Sequence, residues 1–146
     1  MKSMILTTVI FLALGAGPAS GQLCSTTNRL SQAAIQTALV GKWACARDGT
    51  DMWNHRLAGT GNAGIISECH SGLTTGPDPI DPNKGSWSTS NAGGFGTLTY
   101  TFPPSGGSYT YWVYGSGPYM FCRPSDGKTY TFYLTTCPPP KLNDCP

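Results

Sequence analysis

The acid–base side chains that are rarest in this chain lie close together in its sequence. Both histidines, His55 and His70, and the only glutamate, Glu68, fall within one short stretch, with Asp51 just before them. Imidazole and carboxylate groups bind metal ions and act in general acid–base catalysis. These four residues are therefore the first candidates for a metal or catalytic site.

The expected geometry of the two strands argues against such a site. If a hairpin pairs Ala58 with Ala63, the two histidines and Glu68 share one face of the sheet. In that register His55 and His70 lie roughly 13 Å apart along the strands, too far to share one metal ion. We expect ordinary cross-strand polar pairs, Asp51 with His70 or His55 with Glu68. No catalytic residue, metal ligand or cofactor is assigned.

Aromatic side chains form the second candidate group. They concentrate in four neighbouring segments: Tyr100, Phe102, Tyr109, Tyr111, Trp112, Tyr114, Tyr119, Phe121, Tyr130, Phe132 and Tyr133. Three alternatives are open: simple core packing, an aromatic cavity for a small apolar or sugar-like ligand, or an exposed aromatic face for a protein partner. For the cavity, the candidate ligand-binding residues are Trp53, His55, Tyr100, Tyr111, Trp112 and Tyr130.

Short strands must position these residues. Apolar residues at helical spacing predict one helix over Asn28–Val40, capped by Thr26 or Thr27 and stopped by Gly41. After Gly41 the period changes to two, and turn residues rich in Gly, Pro, Asn and Asp separate eight runs. The predicted strands are Lys42–Arg47, Met52–Ala58, Gly64–Cys69, Gly85–Ser90, Gly96–Phe102, Ser108–Tyr114, Tyr119–Arg123 and Thr129–Thr135.

The pattern within these runs indicates an antiparallel sheet. Leu98, Tyr100 and Phe102 share one face of their strand, and threonines occupy the other. A sheet with one buried and one solvated face shows this alternation. Eight sequential strands with short links favour an all-β, eight-stranded up-and-down barrel, which removes exposed edges. An open sandwich is the alternative. The proline-rich segment Ser71–Lys84 is expected to be an exposed loop or a lid that gates the barrel mouth.

The N-terminus carries the signals of export. Lys2 precedes an apolar run over residues 4–14 and a small-residue stretch over residues 15–21. This order predicts a signal peptide over 1–21, cleavage before Gln22, and a secreted or periplasmic protein. The predicted mature part, residues 22–146, is long enough for a single domain.

The cysteine count agrees with export. All six cysteines lie in the predicted mature part, and an even number in an exported chain predicts three disulfides whose pairing stays open. The cysteines are Cys24, Cys45, Cys69, Cys122, Cys137 and Cys145. The last two are expected to pin an irregular C-terminal tail.

The charge of the chain narrows the class of partner. Only 11% of the residues are charged, the net charge is +2, and the sequence contains no basic cluster. Phosphate-backbone binding needs several converging Lys or Arg side chains, so no nucleic-acid partner is expected. The apolar N-terminal run is shorter than the ~20 residues of a membrane-spanning helix. The expected partners are a small-molecule ligand or a secreted protein.

The segment at the start of the first predicted strand suggests a family of barrels. Gly41-Lys42-Trp43, placed directly after a helix, resembles the opening of calycin-type barrels, the lipocalins and avidins. The resemblance implies a small β-barrel in which the indole of Trp43 plugs the closed end. Cys45 stands where avidins carry an asparagine that contacts biotin, so biotin is not the expected ligand.

Three functions are compatible with these features. The leading hypothesis is an exported, non-enzymatic barrel that binds a small apolar or sugar-like ligand in an aromatic cavity. The second is a secreted protein-binding module, such as an inhibitor of a secreted hydrolase like lysozyme. The third is a secreted hydrolase that uses Asp51, His55, Glu68 or His70.

Overall fold

The fold contains one helix and nine strands within the residues that the structure describes. The computed structural model describes residues 24–48, 51–72, 76–77 and 80–135. The elements are α1 (Gln32–Leu39), β1 (Trp43–Asp48), β2 (Asp51–Thr60), β3 (Ala63–Gly72), β4 (Gly76–Pro77), β5 (Asp81–Ala92), β6 (Phe95–Phe102), β7 (Gly107–Gly115), β8 (Tyr119–Cys122) and β9 (Thr129–Thr135). The predicted signal peptide, residues 1–21, lies outside the described residues.

Eight of the strands close into an antiparallel barrel. The sheet runs in the order β2-β1-β9-β8-β7-β6-β5-β3, and β2 also pairs with β3, which completes the ring. The two-residue β4 pairs with the end of β3. The predicted eight-stranded up-and-down barrel is therefore confirmed, and the open-sandwich alternative is wrong. Closure satisfies the backbone groups that open sheet edges would leave unpaired.

The helix is shorter than predicted. It is capped at Ser31, whose hydroxyl accepts a hydrogen bond from the Ala34 N–H at 3.2 Å, rather than at Thr26 or Thr27. The residues before it are extended against β7, where the Leu30 N–H donates to the Val113 carbonyl at 2.8 Å. Because these residues pair with the sheet, they do not form a further turn of the helix. No helix in the described ranges is long and apolar enough to cross a membrane.

Helix α1 closes one end of the barrel. Ile35 and Leu39 are buried in the interior cluster. A Cβ at Gly96 on β6 would lie 2.6 Å from Ile35 Cδ1, so the glycine permits the close approach of helix and sheet. On its polar side, the Gln36 amide donates to Asn62 at 2.7 Å and to the Thr89 hydroxyl at 2.9 Å. These contacts leave the opposite end of the barrel as the place for an opening.

The β2–β3 hairpin has a tighter turn than expected. The structure pairs Thr60 with Ala63 and Ala58 with Ile65, so the expected pairing of Ala58 with Ala63 is wrong. Gly61 adopts φ 71°, which allows a two-residue connection where the longer turn was expected. The register moves by two residues, so every side chain keeps the face that was predicted for it.

A second glycine brings two backbone segments together in this hairpin. A Cβ at Gly64 would lie 2.0 Å from the Ala58 carbonyl oxygen and 2.7 Å from Nε1 of Trp87. That indole nitrogen donates to the same carbonyl at 3.0 Å. Gly64 thus makes room for the hydrogen bond of the buried Trp87 side chain.

The proline-rich segment is only partly a loop. β4 pairs with the end of β3, where Pro77 lies opposite Ser71, and β5 already begins at Asp81. The expectation of a continuous loop over Ser71–Lys84 is therefore wrong. The β3–β5 register shifts between Ile66 and Glu68. This irregularity accommodates the proline at the start of β5, which cannot donate to a ladder.

Disulfides join the N-terminal segment to the sheet. Cys24 is bonded to Cys122 at the end of β8, and the Tyr114 hydroxyl donates to the Ser25 carbonyl nearby. Cys45 and Cys69 are disulfide-bonded as well. The disulfide-stapled barrel is therefore confirmed, whereas Cys137, Cys145 and the predicted pinned tail lie outside the described residues.

Trp43 does not have the position that the calycin resemblance implies. Ala44 and Ala46 belong to the interior cluster, and Trp43 is not part of it. Successive residues of a strand point to opposite faces, so Trp43 lies on the outer face, where it pairs with Arg56 and Thr135. The expected interior plug is wrong; Ile35 and Leu39 of the helix fill that end of the barrel instead.

Candidate functional site

A cavity of about 900 Å³ lies inside the barrel and is partly open to solvent. Its lining comes from β2, β3, β5, β6, β7 and β9 and from the β6–β7 and β8–β9 turns. These turns lie away from the residues that hold α1, so the cavity occupies the end that the helix leaves open. The volume falls within the range of roughly 300–1,000 Å³ that is typical of small-molecule pockets.

Aromatic rings form most of the apolar wall. Tyr100 on β6 is buried and packs edge-on against Tyr111 at 5.7 Å between ring centres. Tyr111 contacts Tyr130 in the same edge-on manner at 6.3 Å, and Phe121 stacks on Phe132 at 4.1 Å deeper in the barrel. Alternate side chains of β6, β7, β8 and β9 point into the barrel, and the pairing of these four strands brings the rings together. Aromatic pairs favour such edge-on and offset-stacked arrangements.

A buried charged group completes one side of the cavity. His55 Nε2 lies 2.9 Å from Glu68 Oε2, and Lys84 Nζ lies 3.0 Å from the other carboxylate oxygen. Burial alone raises the pKa of the Glu68 carboxyl, but the hydrogen bonds from His55 and Lys84 outweigh it and lower the pKa to about 2. Glu68 is therefore an anion with both oxygens engaged.

The second nitrogen of His55 is not available for chemistry. Nδ1 is buried and has no hydrogen-bond partner, and the ring packs edge-on against Tyr100 at 5.5 Å. Nε2 is engaged by Glu68 and Nδ1 is buried, so the pair shapes one side of the cavity.

The phenols in the wall stay protonated over a wide pH range. Burial raises the pKa of Tyr100 well above its ordinary value, and the neighbouring Tyr111 raises it further. Burial also raises the pKa of Tyr111 to about 12, although the positive charge of Arg123 opposes this. Both side chains therefore present neutral hydroxyl groups at neutral pH.

Two cations lie on the other side of the opening, at the β8–β9 turn. Arg123 and Lys128 both line the cavity. Arg123 Nε donates to Asp126 Oδ1 at 2.9 Å, and a second guanidinium nitrogen bonds the other carboxylate oxygen. The Arg123 hydrogen bonds lower the pKa of Asp126 to about 2. The guanidinium lies over the Tyr109 ring at 5.1 Å, so both partners fix its position.

The structure brings together five of the six predicted ligand-binding residues. They line the cavity: Trp53, His55, Tyr100, Tyr111 and Tyr130. Trp112 does not, and its assignment is wrong. It follows Tyr111 directly in β7, and consecutive strand residues cannot face the same side. Its ring instead stacks under the Arg29 guanidinium at 4.1 Å.

Of the four polar residues that the sequence suggested for chemistry, the structure brings only His55 and Glu68 into contact. His55 and Glu68 pair as one of the expected alternatives, directly across β2 and β3. Asp51 pairs with Gly72, and His70 with Trp53, so the expected pairing of Asp51 with His70 is wrong. Over the ranges that the structure describes, no group of three or more His, Cys, Asp or Glu residues can hold a metal ion.

Comparison with family models, curated proteins and solved structures finds no match for this chain. The closed eight-stranded barrel with one short helix agrees with the architecture that a calycin-type resemblance implies. No match connects the chain to lipocalins or avidins. The argument for a function therefore rests on the cavity itself.

Sequence reasoning missed the charged residues at the opening. Arg123 and Lys128 flank the turn Ser125–Gly127, and Lys84 lies in a segment that was expected to be an exposed loop. Their position between a strand end and a turn was a usable signal. In a closed barrel, the turns at one end form the rim of any cavity that opens there.

Proposed function

We propose that this protein is an exported, non-enzymatic barrel that binds a small ligand in its interior. The observation that carries the proposal is the cavity of about 900 Å³ with aromatic walls and a few polar groups. Ligand sites typically combine these properties. Aromatic rings suit a flat apolar body or the apolar face of a sugar ring.

The export part of the proposal has separate support. The Cys24–Cys122 disulfide is typical of proteins that fold in an oxidising compartment. Together with the leader-like N-terminus, it favours a secreted or periplasmic location.

The two other functions have weaker support. Large apolar side chains that are exposed lie on separate parts of the chain: Ile65, Ile80, Met120 and Leu134. Single exposed apolar residues are common on proteins without partners. For hydrolysis, Glu68 is fully engaged and the free nitrogen of His55 is buried. No second function is proposed.

Native mass spectrometry of the protein isolated from its source tests the proposal. We expect a small molecule to remain bound, and to be displaced in competition by others of its class. Tyr130→Ala should weaken binding about tenfold, since it removes an apolar surface worth about 1.5 kcal/mol or more.

The same strand offers a matched control. Tyr133 is also a half-buried tyrosine of β9, but it packs on the outer face against Met52 and Cys45. Tyr133→Ala should leave binding unchanged. If no small molecule binds, or if both variants bind like the original protein, the cavity is not a ligand site.

A further inference from the structure

The charges that line the cavity are unevenly distributed between its two sides. Lys84 and Glu68 form an ion pair on the β3–β5 side. Asp81 lies directly opposite Glu68 in the β3–β5 register. The β8–β9 side contributes Arg123 and Lys128 and no carboxylate to the lining. A ligand that enters between the two sides therefore meets a net positive wall at this turn.

The Glu68 side is not positive, because Asp81 adds a negative charge to the Glu68–Lys84 pair. This side therefore repels an anion, which directs an anionic group to the turn. One carboxylate oxygen of Glu68 accepts from His55 and the other from Lys84. A carboxylate that is already neutralised by a nearby ammonium has little remaining attraction for a second cation. Aromatic ring faces attract cations, so selection of an anion rests on the cations of the turn and not on the aromatic wall.

Backbone hydrogen bonds fix the β8–β9 turn from which the two cations extend, and Asp126 also fixes the Arg123 side chain. The Arg123 N–H donates to the Lys128 carbonyl at 2.8 Å, and the Gly127 N–H donates to the Arg123 carbonyl at 2.8 Å. Asp126, which is not part of the cavity lining, accepts from two nitrogens of the Arg123 side chain. A guanidinium has five N–H donors; two bond Asp126 and one bonds Tyr111, so at most two remain for a ligand. Asp126 neutralises one of the two cations, so the turn carries one net positive charge.

We propose that the ligand carries an anionic oxygen group, a carboxylate or a phosphate, which Arg123 and Lys128 bind while the flat apolar part lies among the aromatic rings. This inference rests on the proposed function and adds the chemical class of the ligand. Charge-assisted hydrogen bonds to a planar guanidinium are strong and directional. Tyr109, stacked beside Arg123, keeps the guanidinium against the cavity wall.

A pair of fluorescent probes that differ by one charge tests the inference. The anionic probe is 8-anilinonaphthalene-1-sulfonate, and the uncharged probe is N-phenyl-1-naphthylamine, which has the same aromatic body. We expect the original protein to bind the sulfonate about tenfold more tightly, since a hydrogen bond to a charged group contributes about 1.5 kcal/mol or more. Raising the salt concentration should reduce this preference.

Variants assign the preference to the turn. Lys128→Gln and Arg123→Gln should each reduce the tenfold preference for the sulfonate over the neutral probe to about threefold, since each cation supplies part of it. Lys128 does not pack in the buried wall, so Lys128→Gln should fold and still tests the inference if Arg123→Gln does not fold. Lys42→Gln is the control, because Lys42 is exposed and bonds the Thr37 carbonyl beside the helix, away from the cavity.

The outcomes separate the inference from the proposed function. If both probes bind with equal affinity and Tyr130→Ala weakens both, the cavity binds ligands but does not select anions, and the inference is wrong. If the sulfonate is preferred but Lys128→Gln and Arg123→Gln leave it unchanged, the inference is also wrong. If neither probe responds to Tyr130→Ala, the proposed function itself fails.

Discussion

Replacing Glu68 by glutamine should destabilise the barrel in a pH-dependent manner. The pKa of this carboxyl is lowered from 4.5 to about 2 in the folded protein, and each pH unit of difference is about 1.4 kcal/mol. Solvent screening weakens a pair whose Lys84 partner is exposed, so the carboxylate contributes about 1–2 kcal/mol to the free energy of unfolding at neutral pH. Because the folded pKa lies below the unfolded value, this contribution is complete above pH 4.5 and disappears as the pH falls through about 2.

Denaturant unfolding under oxidising conditions, followed by tryptophan fluorescence, measures this difference. Between pH 7 and pH 2, Glu68→Gln should converge on the original protein, because a protonated glutamate and a glutamine are close in shape and charge. Asp81→Asn is the control. Asp81 lies opposite Glu68 but is exposed, so its replacement should change stability by about 0.5 kcal/mol or less. A Glu68→Gln effect that stays constant with pH, or that matches the control, would refute the reasoning.

Three further predictions concern packing, the disulfide and the buried phenols. Gly64→Ala should destabilise the protein by about 2 kcal/mol or more in the same unfolding assay, since its Cβ has no space. Gly61→Ala, which has space but a φ of +71°, should cost only about 1 kcal/mol; equal effects would contradict this account. Replacing Cys24 and Cys122 together by serine should lower the free energy of unfolding by about 3–4 kcal/mol, because the bond joins residues 98 positions apart; an unchanged denaturation midpoint would argue otherwise. Tyr111→Phe should remove a phenol that ionises near pH 12 in ultraviolet titration of the folded protein. Because that pKa lies above the unfolded value of 10.0, the associated stability is present below pH 10 and disappears as the pH rises through about 12; a titration curve identical to that of the original protein would exclude this assignment.

The strands and their closure were accessible from sequence because their determinants are local. Alternation of Leu98, Tyr100 and Phe102 with threonines identifies the buried face of β6, and all three positions are inward in the structure. Turn residues mark where each strand ends, and eight short antiparallel strands have few ways to avoid open edges.

The candidate site was only partly predictable. Trp112 was assigned to the cavity together with Tyr111, although adjacent strand residues point to opposite faces. The sequence contained the means to reject one of them, but not to say which. Inward packing of Tyr111 against Tyr100 decides the matter. The short turn at Gly61 likewise set a register that turn composition left open.

The aromatic residues show where sequence reasoning ends for this protein. By itself the sequence determined an all-β chain with eight strands, one helix, and more aromatic side chains than a small solid core requires. Only the tertiary structure decided that seven of them line a partly open cavity of about 900 Å³. It also brought Glu68 between His55 and Lys84. The reason is physical: alternation and turn chemistry depend on neighbours in sequence, whereas a cavity depends on how strands from the whole chain close around it.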